Sequence, residues 1–304
     1  MSRYTERAEN TARMLDVNVQ TSLMPNAPRS QGWDGTLRIS ELVAQYGAKY
    51  SEVSARGVLD FMVRDESNHS SIISCLYAAR ENARAVRFSI TTEVWETINT
   101  TWLEMQKLLN DGLVERDPSQ FFEWVKYRSH LSRGVTIGTM LKDEAFYFAR
   151  LGTFLERADN TARILDVKYH GLVDDRNAES ADSQRDFYHW AAVLRSVSAF
   201  ETYRKVYRDV ITPARVAELL MLRDDMPRSL LASMNEVCIN LEKVRNNRSK
   251  ETERRAGMLR SDLLYGRIDD ILATGLHAYL TSFLERVSDI GNRVSRDFLV
   301  PLAA

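Results

Sequence analysis

Two short stretches, ERAENTAR at 6–13 and ERADNTAR at 156–163, carry the side chains best suited to chemistry. Each places a glutamate, an asparagine and an arginine at i, i+4 and i+7. These are Glu6, Asn10 and Arg13 in the first, and Glu156, Asn160 and Arg163 in the second. At roughly 100° per residue they fall on one stripe of a helix, flanked by Arg7 and Arg157. A carboxylate beside a fixed guanidinium can act as a general base next to an anion clamp. The same groups can instead neutralise one another, because buried charge demands pairing. Glu9 to Arg13 and Asp159 to Arg163 are also acid-to-base pairs at i, i+4. If exposed, each pair would add only about 0.2–0.5 kcal/mol.

The stretches belong to longer copies, TERAENTARMLDV (5–17) and LERADNTARILDV (155–167), which differ at three positions. Leu151, Leu155, Ala158, Ala162 and Leu165 gather on another face of the second copy, with Phe154 at its edge, and read as a core stripe. The polar stripe needs a separate account. A face touching only water should drift between duplicated segments, and the rest of the two halves has diverged. The expectation is therefore that both polar stripes are enclosed, on two helices related by a pseudo-twofold axis and facing each other or a shared cavity. Solvated faces inherited from a duplication are the plainer alternative.

The elements that must position these stripes are all helical. Strand-like alternation is absent, and 3.6-residue periodicity runs nearly throughout. The expected fold class is all-α, a multi-helix bundle with two pseudo-symmetric helices bearing the repeated motif. A first helix holds the first copy, and a turn-rich loop (24–35) ends it. Helices are expected at 36–47, 51–63, about 70–89 and about 91–110, with Thr91 or Thr92 as cap before Glu93. Asp117 followed by Pro118 reads as N-cap and N1 of a helix reaching about 140. Asp143 caps a long helix through the second copy to about 170–171. Further helices fall near 184–197, 199–210, 213–222, 228–247, 250–266 and 268–298. The chain reads as a single helical domain, 1–304. Any division into halves, 1–172 and 185–304, falls at the polar loop 173–184.

The chain has 304 residues, enough for a substantial core. Its formal net charge of −1 argues against binding nucleic acid through bulk charge. Of 41 basic residues 33 are Arg, the residue for bidentate pairing with carboxylate or phosphate, although codon usage alone could produce that bias. Cys75 and Cys238 make no zinc or disulfide pattern, and Cys75 reads as core. The start lacks a signal-peptide pattern and no apolar run approaches a bilayer span, so a cytoplasmic location is expected.

Other motifs are weaker. RENARAVR on the helix at 72–89 puts Arg80, Arg84 and Arg87 on one face, by default a solvated one but a further anion-binding candidate. FLER at 283–286 faintly echoes FLER at 154–157. Trp95 and Trp102 lie seven apart, as do Phe200 and Tyr207, at core or docking spacing. No phosphate-binding glycine loop, nucleophile elbow or HExxH appears, and no metal site is expected.

ERAENTAR and ERADNTAR resemble the signature of the alpha-E family, an α-helical domain named for its E-R motif. SSIISCLYAARENARAVR (70–87), WETIN (95–99), LRSVSAFETYRKVYRDVITPARVAELLML (194–222) and MPRSLLASMNEV (226–237) resemble the same family in order. His69 departs from it, standing where a proline is expected in an NPSS-like turn. Glu6 is also only five residues from Met1, whereas Glu156 lies 13 residues after Asp143. Family members carry more residues ahead of the first ER pair, so the resemblance makes Met1 a candidate internal methionine. It also implies a partner, a circularly permuted ATP-grasp protein that would hold ATP and Mg, often with a transglutaminase-like protease nearby. The implied role is an accessory or substrate-presenting subunit in peptide or amide ligation or peptide modification, expected to bind its partner and an anionic or peptide substrate through the Arg-rich ER helices, with no cofactor of its own. Two alternatives stay open. One is an autonomous enzyme, with Glu6 or Glu156 as base and Arg13 and Arg163 as clamp. The other is a purely structural scaffold.

Overall fold

The computed structural model describes residues 1–23, 31–175 and 183–299, apart from the side chains of 31, 168–175, 183–186 and 299. Contacts divide the chain into two compact units, Met1–Ala149 and Arg150–Ala304. The described residues form sixteen α-helices and no strand, as the periodicity requires.

In the first unit four long helices make a bundle: α1 (Ser2–Ser22), α5 (Ile72–Ala85), α6 (Thr92–Asn110) and α8 (Pro118–Thr139). α1 packs on α5 and α8, and α6 packs on the same two, closing a ring of four. α2 (Gln31–Ile39), α3 (Val43–Gly47), α4 (Ala55–Val63) and α7 (Leu113–Arg116) complete it. The core follows the apolar stripes. Ala8, Ala12 and Leu15 of α1 meet Phe121, Phe122 and Val125 of α8 and Cys75 and Leu76 of α5. A smaller cluster of Ala83, Val94, Ile98, Met140 and Phe146 lies beside it.

The helix starts are set by side chains that accept from otherwise unbonded N–H groups. Ser71, Thr91 and Asp117 accept from Ser74, Val94 and Gln120, and Pro118 occupies N1. His69 does not disturb the cap before α5, because Asn68 holds that turn. Its amide donates to the Phe61 carbonyl and its Oδ1 accepts from Ser70 N–H.

The expected loop 24–35 is shorter than its composition suggested, because Gln31–Gly35 is helical. Trp33 and Leu37 bury at helical spacing, and Asp34 suits the first turn. Gly32 permits the approach of α2 to α1, since a Cβ there would meet Asn18 Oδ1 at 3.1 Å. Asn18 donates to Gly32 O and Thr36 Oγ1 across that contact. The helix expected at 36–47 is accordingly two, α2 and α3. Residues 24–30 lie outside the described residues.

α9 (Glu144–Asp175) starts where Asp143 Oδ1 accepts from Phe146 N–H, as expected, and crosses from one unit into the other. It runs past the expected end at 170–171, so 173–175 are helical. Residues 176–182 of the polar segment lie outside the described residues.

The second unit holds the rest of α9, then α10 (Ser183–Ser196), α11 (Phe200–Tyr207), α12 (Pro213–Met221), α13 (Leu230–Val244), α14 (Lys250–Leu264), α15 (Ile268–Thr274) and α16 (Leu276–Val294). α14 packs on α13 and α16, and α12 packs on α13 and α15. The expected helix 268–298 is broken at Gly275, whose φ of 107° excludes helical continuation. Pro227 precedes a turn rather than a helix; Ser229 is the N-cap of α13 and accepts from Ala232 N–H.

Candidate functional site

On α1 nearly the whole circumference from Glu6 to Val17 is buried, with Arg7 and Arg13 half-buried. Ala8, Ala12 and Leu15 account for one face. The opposite face needs charged partners, and α8 supplies them. Arg133 Nη1 donates to Glu6 Oε2 at 2.8 Å and to Glu9 Oε2 at 2.5 Å. Ser129 Oγ donates to Glu9 Oε2 at 2.7 Å. Arg13 grips the other Glu9 oxygen from Nε at 3.0 Å and Nη2 at 2.7 Å. His130 lies between the two arginines, its Nε2 3.2 Å from Arg13 and its Nδ1 2.5 Å from Arg133. One turn further along α1, Lys126 donates to Asp16 at 2.8 Å. α1 and α8 run antiparallel, so the acids of one meet the bases of the other in order.

Glu6 is 1% exposed and Glu9 is fully enclosed. Neighbouring Glu6 and Glu9 hold the Arg133 guanidinium pKa above its ordinary value, against the burial that would lower it. Asn10 is buried beside them, and Arg7 lies over the Tyr4 ring at 5.9 Å. The first stripe is therefore enclosed and ion-paired within its own unit. The sequence supplied Glu6, Asn10 and Arg13 but missed Ser129, His130 and Arg133. Their signal was a second run of polar residues at i, i+1 and i+4, with no repeat to draw attention to it.

The second copy sits in different surroundings. Leu151, Leu155, Ala158, Ala162 and Leu165 are buried, as the stripe predicted, and so are Glu156 and Arg157. Arg157 donates to the carbonyl of Pro227 at 3.3 Å, and Thr161 to that of Arg228 at 2.9 Å. Together they tie α9 to the turn before α13. Arg150 and Arg157 both lie against the Phe154 ring, and Arg150 pairs with Glu236 at 2.6 Å. Arg163 pairs with Asp159, whose side chain is 26% exposed, and Asn160 is half-buried. The faint third echo is not a third lattice. Glu285 is exposed, and Arg286 pairs with Asp262.

A second constellation joins features that were separate in the sequence. α5 and α6 are antiparallel neighbours. The helix expected to reach 89 ends at Ala85, so Tyr77, Arg80 and Arg84 lie on α5 and Arg87 on the short 3-10 turn after it, while α6 runs back through Trp102, Asn99 and Thr92. Tyr77 packs on Trp102 at 5.3 Å, Arg80 donates to Asn99 at 2.8 Å, and Arg87 donates to Thr92 at 3.2 Å. Arg80 and Arg87 each place their guanidinium carbon 6.0 Å from the Trp95 ring centre. Glu81 is shared, one oxygen to Arg80 and the other to Arg84. The three arginines thus form one face with two tryptophans.

A narrow crevice about the size of one water opens between the bundle helices, lined by Ala8, Ala79, Val125, Thr101, Arg128 and Ser129 among others. Arg128 is tied down by donation to Thr101 Oγ1 and Thr97 O. Among the described residues no group of three metal-binding side chains converges, and no helix is long and apolar enough to cross a membrane.

These features define an all-helical protein organised around a buried, repeated glutamate–arginine motif. The chain belongs to the Alpha-E family, described as a predicted alpha-helical domain with a conserved ER motif, matched over residues 1–299. Neither a curated protein nor a solved structure matches it.

Proposed function

We propose that this chain is a helical accessory subunit of an ATP-grasp-type system for peptide or amide ligation or peptide modification. In this reading it docks on the ATP-grasp protein and helps present an anionic or peptide substrate. ATP and Mg belong to that partner, and the pair works in the cytoplasm. One observation carries the reading: the arginine–tryptophan face of α5 and α6. It supplies the residue types that dominate docking surfaces, Arg, Trp and Tyr, on two rigid helices. The ER residues support it by contrast. Glu6 and Glu9 are ion-paired to Arg133 and sealed from solvent, which suits a framework that holds the bundle.

The test is co-expression with a circularly permuted ATP-grasp protein from the same genome, followed by affinity purification and measurement of ATP turnover. A stable complex whose ATP turnover or ligation depends on this chain is the expected result. No complex, together with unchanged turnover, overturns the reading.

A further inference from the structure

We propose that the α5–α6 face binds an acidic segment of a protein partner, with an apolar side chain of that segment seated beside Phe88 and Trp95. The inference rests on the reading of this chain as a docking subunit and names the chemistry its partner must carry.

Charge sets the first requirement. Arg80, Arg84 and Arg87 share this face with one carboxylate, Glu81, which already serves two of them. Arg87 donates to a hydroxyl, that of Thr92, and Arg80 to a neutral amide, Asn99, besides its pair with Glu81. Three guanidiniums against Glu81 within the face and Glu96 at its edge leave it positive on a chain whose net charge is −1. Arg84 is 68% exposed, so it can turn to a new carboxylate with little rearrangement.

Apolar surface sets the second. Phe88 is 104% exposed on the short 3-10 turn Arg87–Ser89, with Val86 and Tyr77 also open to solvent. A single exposed phenylalanine is unremarkable. This one adjoins Arg87, whose guanidinium lies against Trp95. Trp95 is thus a ring flanked by two arginines, Arg80 and Arg87, the composition of a binding hot spot, and Phe88 follows Arg87 in the chain.

The acids around the face choose among polyanions. Glu93 and Glu96 of α6 are exposed; Glu93 lies about 160° around that helix from Trp95, whereas Glu96 lies about 100° from Trp95 and about 40° from Thr92, at the edge of the face. A nucleic-acid strand laid across α6 would bring phosphates onto them. A short acidic segment running along the α5–α6 furrow would meet the arginines, miss Glu93 and have only Glu96 at its edge.

The probe is a fluorescein-labelled peptide of alternating glutamate and leucine around one phenylalanine, titrated with the full chain and followed by anisotropy. Saturable binding that weakens with added salt is expected. Arg84→Glu with Arg87→Glu should weaken it by about tenfold or more, and should favour the same peptide with lysine for glutamate. Phe88→Ala should weaken it by about threefold to tenfold, and cannot unfold the chain through lost packing because the ring is fully exposed. Circular dichroism confirms the fold of the arginine variants. Equal binding of a glutamine-for-glutamate peptide, binding unchanged by both sets of variants, tighter binding of oligouridylate, or no saturable binding would each overturn the proposal. A complex with the ATP-grasp protein that survives all these substitutions removes this face and leaves the accessory role standing. Peptide binding without such a complex does the reverse.

Discussion

Arg133→Met tests whether the charge lattice holds α1 to α8. The lost guanidinium donates to Glu6 at 2.8 Å and Glu9 at 2.5 Å, two carboxylates closed to water. Removing one partner of a buried ion pair costs about 3–5 kcal/mol, because charge is left behind. Two features lower that figure. The Arg133 side chain is a quarter exposed, so solvent already screens part of the interaction. Glu9 also keeps its hydrogen bonds from Arg13 and Ser129. The expected loss is about 2–3 kcal/mol, or roughly 5–10 °C in Tm for a compact unit of this size. Urea and thermal unfolding followed by tryptophan fluorescence would read it, since Trp33, Trp95, Trp102 and Trp124 all lie in Met1–Ala149. Arg84→Met is the control: its pair with Glu81 is largely exposed, and a change within about 0.5 kcal/mol is expected. Adding Glu6→Gln to Arg133→Met should recover part of the loss by removing a stranded charge. If Arg133→Met unfolds within about 0.5 kcal/mol of the parent, the lattice is not what fixes these helices.

Gly134 and Gly138 lie inside α8 with nothing within 4 Å of an added Cβ, so Gly→Ala at each should stabilise by about 0.5–1 kcal/mol in urea melts. A loss of stability there would mean that another surface packs on that face. Burial alone would raise the Asp65 pKa, but hydrogen bonds from Lys49 and Ser67 prevail and hold it below the ordinary carboxylate value. A depressed folded-state pKa gives stability that is present above the unfolded value and lost as pH falls through the folded one. Asp65→Asn should therefore cost about 0.5–1 kcal/mol at neutral pH, discounted for the half-exposed Lys49, and the cost should fade below about pH 4. Melts of both proteins across that range decide it, and a constant difference would refute the assignment. Cys75 is buried, and burial pushes the Cys238 thiol up to about 11, so neither should react with a thiol-disulfide reagent at pH 8 until the chain unfolds.

The repeat made the polar stripes visible, because Glu, Asn and Arg recur at helical spacing in both copies. What completes each stripe was not legible, since that depends on which helix the fold brings alongside. Ser129 and Arg133 are four apart on α8, and Lys126 lies three before Ser129. Together they mirror Glu6, Glu9 and Asp16 only once α8 is known to run antiparallel to α1. The α5–α6 face was closer to legible. Arg80 and Arg87 are seven apart, as are Trp95 and Trp102, and the connection between their helices is short. Short links between helices favour antiparallel neighbours, so the two rows could have been paired in advance. The break at Gly275 was harder, because a lone glycine within an apolar periodic stretch is often tolerated inside a helix.

The two copies also show what a duplicated polar helix can be used for. The shared residues are donors and acceptors spaced to face one direction, and their neighbours determine their task. On α1 the second acid of the motif is Glu9, long enough to reach Arg13, Arg133 and Ser129 together. On α9 the equivalent Asp159 is one methylene shorter and partly exposed, and it pairs with Arg163. There the donors of Arg157 and Thr161 turn instead to backbone carbonyls at Pro227 and Arg228, in the turn that Ser229 ends by capping α13. Carbonyls in a tight turn without partners would each cost about 1–3 kcal/mol, so a helix that brings donors to them fixes the turn as well as itself. One motif thus pins a helix by ion pairs in the first unit and by backbone hydrogen bonds in the second. The polar face is enclosed on α1, whereas on α9 Glu156, Arg157 and Thr161 are buried and Asn160 and Arg163 only partly so.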